Sequence, residues 1–123
     1  MIQIVQDLKD KNILVVEDGQ DIRDIIATTF GRIFKNTYTA NDGKEGLEKF
    51  KELKPDIIVT DIRMPNMSGN DMIDEIKQID PNIPVIVVSG HGRMIKKENK
   101  ADIFLEKPIK FDKLIREIHN LVC

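Results

Sequence analysis

Cysteine occurs once in this chain of 123 residues, as Cys123, and tryptophan does not occur at all. A single thiol closes no disulfide within the chain, so covalent stapling is excluded as the source of the fold, and a reducing compartment, the cytoplasm, is the expectation. No apolar run approaches the roughly 20 residues of a membrane span, so no contact with a membrane is expected. Met1–Lys11 lacks the basic start and apolar centre of a secretory signal. Positive charge is not in excess: 19 Lys and Arg face 21 Asp and Glu, a net charge of −2. That argues against direct nucleic-acid binding through bulk charge. No repeat, low-complexity tract or linker interrupts the chain. What remains, 41% hydrophobic and 33% charged, describes one globular domain over residues 1–123, with 1–11 as a lead-in and 12–122 as the core.

Apolar runs and helical spacings alternate along that core. Met1–Lys11 reads either as a helical turn or two, with Ile2, Ile4, Val5 and Leu8 on one face, or as a frayed lead-in. Ile13-Leu14-Val15-Val16 reads as a buried strand ending in Glu17-Asp18. Ile22, Ile25, Ile26, Phe30, Ile33 and Phe34 then recur at helical spacing. Lys35–Ala40 is short and β-prone, with Tyr38 and Ala40 directed inward. Asp42-Gly43 is a turn, and Leu47, Phe50 and Leu53 mark a helix closed by Pro55. Asp56-Ile57-Ile58-Val59-Thr60-Asp61 reads as a strand buried on both faces that ends in the carboxylate of Asp61. Met72, Ile73, Ile76 and Ile79 mark the next helix, Pro84–Val88 the fourth strand, Asp102–Leu105 the fifth, and Phe111–Val122 the last helix. Strand and helix alternate five times, which implies a doubly wound α/β fold: a parallel five-stranded sheet with helices on both faces.

In such a sheet the carboxyl ends of all strands lie on one edge, where ligands collect. The residues there are Glu17 and Asp18 after the first strand, Asp61 after the third, Ser89 after the fourth and Lys107-Pro108 after the fifth. Each has a plain role as well. The acid pair favours a helix start, Asp61 can cap the next helix, Ser89 suits a turn, and Lys107 suits a solvated loop. Taken together they are the parts one reaction needs. Three carboxylates repel unless a cation joins them. Oxygen ligands with open positions suit Mg²⁺, which binds one or two carboxylates plus a phosphate. An ammonium and a hydroxyl would hold the oxygens of an incoming phosphoryl group, whose transfer needs mainly positioning and charge neutralisation. Asp61 would then be the nucleophile.

These stretches resemble the receiver domains of two-component response regulators, the chemotaxis receivers among them. The resemblance covers nearly all of Asn12–Val122. It rests on Ile13–Asp18, on Ala40-Asn41-Asp42-Gly43-Lys44-Glu45-Gly46-Leu47, and on Pro55-Asp56 leading to Asp61. It rests further on Met64-Pro65-Asn66-Met67-Ser68-Gly69, Val88-Ser89-Gly90 and Phe104-Leu105-Glu106-Lys107-Pro108. It implies the flavodoxin-like strand order 2-1-3-4-5. It implies Asp61 as phospho-acceptor, Mg²⁺ held by Glu17, Asp18, Asp61 and the backbone carbonyl of Arg63, and Lys107 as the phosphate-binding lysine. Ser89 and Phe104 take the two switch positions. A histidine kinase, phosphotransfer protein or small phosphodonor would supply the phosphoryl group. The face formed by the fourth helix, fifth strand and fifth helix would then signal to an output domain or target protein. On this reading the chain is a phospho-acceptor and not an enzyme.

The chain departs from that pattern between Ser89 and Lys107. About one helical turn is missing there, and His91–Lys100 offers only Met94 and Ile95 as apolar anchors, so a shortened, irregular fourth helix is expected. The basic residues Arg93, Lys96, Lys97 and Lys100 read either as a solvated face or as a surface for an acidic partner. Arg63 and His91, each two residues past a site residue, are expected to hinder the attacking water and prolong the phosphorylated state. His119 reads as a surface residue of the last helix. Three other readings compete. A haloacid-dehalogenase-type phosphatase would want an acid where Arg63 stands. A flavodoxin-like electron carrier would want Ser, Thr and Gly where Glu17-Asp18 stand, and aromatic residues to stack a flavin. A receiver that binds partners without phosphorylation would have no use for the complete acid set.

Overall fold

β-branched residues crowd the backbone and favour the extended chain, and three runs of them build the centre of the sheet. The computed structural model describes residues 1–90 and 99–123. Its elements are α1 (Ile2–Leu8), β1 (Asn12–Val16), α2 (Gln20–Gly31), β2 (Asn36–Ala40), α3 (Gly43–Leu53), β3 (Ile57–Thr60), α4 (Gly69–Ile79), β4 (Val85–Ser89), β5 (Ile103–Glu106) and α5 (Phe111–Val122). The strands form one sheet in the order β2-β1-β3-β4-β5, every pair parallel. Residues 91–98 of the expected shortened helix over His91–Lys100 lie outside the described residues.

Alternation along each strand divides the apolar side chains between two faces. Ile13, Val15, Ile57, Val59, Ile86 and Val88 face α2 and α5, meeting Ile26, Phe30, Leu114 and Ile118. Leu14, Val16, Ile58, Val85 and Val87 face α3 and α4, meeting Leu47, Phe50, Met72, Ile73 and Ile76. Residues of β1, β3 and β4 with this double burial each contribute about 1.5–3 kcal/mol for a Val or Ile side chain. β5 lies at the sheet edge and buries its residues only in part.

The lead-in is a formed helix. Leu8 is fully buried in the cluster that holds Phe34 and Ile118, with Ile4 packed against it. His119, expected at the surface, pairs instead with Asp7, with Nε2 2.8 Å from Oδ2. The Asp7 carboxyl is held below the usual carboxylate range by hydrogen bonds with His119 and Gln3. Two helical stripes are wider than the surface they meet. Ile22 and Ile25 of α2 and Ile79 of α4 stay exposed, while Ile26, Phe30, Ile73 and Ile76 carry the packing.

Candidate functional site

Strand register decides which loop residues meet. Val16 stands opposite Thr60 in the β1–β3 pair, and Asp61 N–H donates to the Val16 carbonyl at 3.1 Å. The acids after β1 and β3 are therefore neighbours. Glu17, Asp18 and Asp61 each bring a carboxylate oxygen to within 4.8 Å of the others. Glu17 and Asp61 are buried, whereas Asp18 is exposed. On the far side of the sheet, Lys107 N–H donates to the Ser89 carbonyl at 3.1 Å. That directs Lys107 back over the rim, and its Nζ lies 2.8 Å from Glu17 Oε1 and 2.8 Å from Asp61 Oδ2.

The second oxygens of these acids have backbone donors. Gly19 N–H donates to Glu17 Oε2 at 3.0 Å, and Ile62 N–H to Asp61 Oδ1 at 2.7 Å. Arg23 on α2 donates to the Glu17 carbonyl at 2.9 Å, fastening the turn that carries the acid pair. Burial pulls the Lys107 ammonium toward losing its proton, but its bonds to Asp61 and Glu17 outweigh this and leave its pKa above the usual lysine value. One ammonium opposes three carboxylates here. The remaining negative charge, borne by hard oxygen donors at a solvent-open rim, fits a small divalent cation such as Mg²⁺.

The loop from Ile62 to Ser68 passes over Asp61 and is held at both ends. At its far end, a Cβ added to Gly69 would stand 2.2 Å from the Asp61 carbonyl oxygen, so only glycine permits that approach. At its crest, Asn66 has φ 66° and donates its side-chain amide to Asp42 Oδ2 at 2.6 Å. The other oxygen of Asp42 accepts from Glu45 N–H at 2.8 Å and caps α3. Next to this contact, Gly43 N–H donates to the Met67 carbonyl at 3.1 Å. Hydrogen bonds from Glu45 N–H and the Asn66 amide hold the Asp42 carboxyl below the usual carboxylate range.

Two of the remaining expected residues, Ser89 and Arg63, stand beside this rim. Ser89 ends β4 and is 1% exposed. Phe104 on β5 is 44% exposed, its ring directed outward. Arg63 is exposed on the loop, and His91 lies outside the described residues. The Lys107–Pro108 peptide is cis. Beside Lys107 runs an apolar groove of about 450 Å³ lined by Ile22, Ile25, Ile26, Pro108, Ile109 and Phe111. Asp42, Asn66 and Arg23 were missed as parts of the site. The Asp42-x-x-Glu45 spacing of a helix cap was the legible signal for the first of them.

The strand order and this rim define the class: a flavodoxin-like α/β domain whose carboxyl edge gathers three acids around a lysine. The response regulator receiver domain family matches residues 13–119, and the chain belongs to it. The chemotaxis protein CheY of Thermotoga maritima is 35% identical over 116 residues, 90% of this chain and 97% of that protein. The Regulator of RpoS of Escherichia coli is 33% identical over 125 residues, but this chain spans only 35% of its length. Among solved structures, the response regulator TrrA of Thermotoga maritima, in complex with Mg²⁺ and BeF, superposes with a TM-score of 0.83 at 28% identity, covering 90% of this chain and 98% of that one. The chain is thus a receiver domain of two-component signalling. Among the described residues, no helix is long and apolar enough to cross a membrane.

Proposed function

We propose that the domain accepts a phosphoryl group on Asp61 from a histidine kinase, a phosphotransfer protein or a small phosphodonor, with Mg²⁺ as cofactor. The observation that carries this reading is the meeting of Glu17, Asp18 and Asp61 within 4.8 Å, with Lys107 2.8 Å from the Asp61 carboxylate. The similarity to TrrA, solved with Mg²⁺ and BeF, supports it. Glu17, Asp18, Asp61 and the Arg63 carbonyl would hold the cation, which, when bound, offsets the charge of the carboxylates and of the phosphoryl oxygens. An Asp61 oxygen forms the new bond to phosphorus as the phosphohistidine P–N bond breaks, the electron pair returning to the imidazole nitrogen. Lys107 holds a phosphoryl oxygen with its ammonium. The exposed apolar side chains of α2, beside the groove that Lys107 also lines, give a helical phosphodonor a surface next to the acceptor.

In this reading Ser89 turns its hydroxyl to the phosphoryl group and Phe104 swings inward, displacing the equilibrium of the face formed by β5 and α5 toward its signalling form. An output domain or target protein reads that face in the cytoplasm. The domain acts as an acceptor rather than a multiple-turnover enzyme. Arg63, where a phosphatase of the haloacid-dehalogenase type would place a second acid, supports this. Mass spectrometry after incubation with acetyl phosphate and Mg²⁺ is the test. The parent gains one phosphoryl mass and Asp61→Asn does not; an equal gain in both would refute the assignment.

A further inference from the structure

We propose that Asp42 and Asn66 form a brace that sets the position of the Arg63 backbone, so that both are positioning residues for the divalent cation although neither contacts it. The inference rests on the Mg²⁺ site proposed above and deepens it. The loop that carries Arg63 leaves the sheet at Asp61 and rejoins regular structure at Gly69. Its return is fixed by Gly69 N–H donating to the Ile62 carbonyl at 2.8 Å. That bond closes the base of the loop and leaves its crest to be placed by something else.

The crest is placed from the neighbouring β2–α3 turn. Asn66 adopts the left-handed backbone at φ 66°, which aims its amide at Asp42 rather than along the loop. The contact of 2.6 Å is a charge-assisted bond, stronger than a neutral pair. Asp42 is rigid, because its other oxygen caps α3 and Asn41 N–H is tied to Glu45 Oε1 at 2.7 Å. Gly43 completes the seat. A Cβ there would stand 2.2 Å from the Met67 carbonyl oxygen, so the loop rests directly on the helix terminus. A loop pinned at its base and crest allows the span between, Arg63–Pro65, little freedom. A backbone carbonyl serves as a metal ligand only where its supporting shell holds it.

The test is a Mg²⁺ titration followed by amide NMR shifts, joined to hydrogen exchange of the metal-free loop. Asn66→Gly keeps the left-handed backbone and removes only the amide. Asp42→Ser keeps the helix cap but falls short of Asn66. Each should weaken Mg²⁺ binding about tenfold, the low end of the cost of losing an outer-shell partner, and should speed exchange at residues 62–67 while β1 and β3 stay protected. The double variant should be no weaker than either single one. Asp42→Asn, whose side chain can meet a flipped Asn66 amide, should restore binding. Singles within about twofold of the parent, or a double variant whose loss is the product of the two, would overturn the brace. A parent that takes up no Mg²⁺ would overturn the cation reading itself. That outcome is distinct, because failure of the brace alone leaves parental uptake intact and sensitive to Asp61→Asn.

Discussion

Lys107→Met should destabilise the metal-free domain, and Mg²⁺ should restore more of the loss than it adds to the parent. Lys107 Nζ lies 2.8 Å from both Glu17 and Asp61, each 4–8% exposed. At that separation, with an effective dielectric of about 20, each contact is worth roughly 6 kcal/mol of Coulomb energy before the ammonium's own desolvation is counted. Removing one partner of a buried pair costs about 3–5 kcal/mol net, because the carboxylates stay behind uncompensated. The Lys107 side chain is 22% exposed, so solvent screening places the cost near the low end, about 3 kcal/mol. For a domain of this size that lowers Tm by roughly 10 °C.

A divalent cation at a hundred times its Kd adds about 2.7 kcal/mol to any protein that binds it only when folded. In the variant the cation enters without competing against the ammonium and relieves three carboxylates instead of a partly neutralised set, so its gain is larger. Thermal melts of both proteins, in EDTA and in saturating Mg²⁺, provide the assay. Equal Tm values in EDTA, or an equal Mg²⁺ shift in parent and variant, would refute the reasoning. Because the Lys107 pKa is raised, its contribution is complete below the ordinary lysine value of about 10.4 and is lost as pH climbs through the folded value.

Gly69→Ala, which sets a methyl 2.2 Å from the Asp61 carbonyl oxygen, should cost about 1–3 kcal/mol or more by chemical denaturation and slow phosphorylation by acetyl phosphate; unchanged stability and rate would count against the close approach. Ile25→Asp, at a side chain 57% exposed, should slow transfer from a cognate histidine kinase at least tenfold (about 1.4 kcal/mol) while leaving acetyl phosphate transfer unaltered; equal effects on both donors would remove α2 as a docking surface. Exchanging Arg63 and His91 together for serine should hasten loss of the phosphoryl group, followed as decay of the phosphorylated mass. The depressed Asp7 pKa contributes stability above the ordinary carboxylate value of about 3.9, lost as pH falls through the folded value. Melting temperature should therefore fall less steeply below about pH 4 in Asp7→Asn than in the parent, and parallel curves would show the His119 contact to be inert.

The sheet and its rim were legible because their signals are local. Ile13–Val16, Ile57–Val59 and Val85–Val88 are unbroken apolar runs, and a strand buried on both faces permits little else. Acids and a lysine directly after such runs are brought together by topology alone, and the structure does bring oxygens of Glu17, Asp18 and Asp61 within 4.8 Å of one another, with Lys107 paired to Glu17 and Asp61. What escaped was set by contacts between distant segments. The helical spacing of α2 gave no sign that Ile22 and Ile25 would lie outside the packed surface, because periodicity marks an apolar stripe and not the width of its partner. His119 and Asp7, 112 positions apart, carry no pattern in common. α1 is too short for its own periodicity to decide between helix and frayed chain. The Asn66–Asp42 contact joins two turns 24 positions apart, and turn chemistry alone accounts for the residues of each.

The pairing of α1 with the last turn of α5 has a practical consequence. Cys123 Sγ lies 3.9 Å from the Asp7 carbonyl oxygen, so the last residue lies against the end of α1, about 9 Å along that helix from Met1, and on the side of the sheet where β1 begins rather than at the acid rim. Neighbouring termini tolerate being joined and the chain reopened elsewhere. A circular permutant linked through a short glycine-rich bridge, or a pair of fluorophores fused at the two ends, would leave the acceptor rim open to its donor.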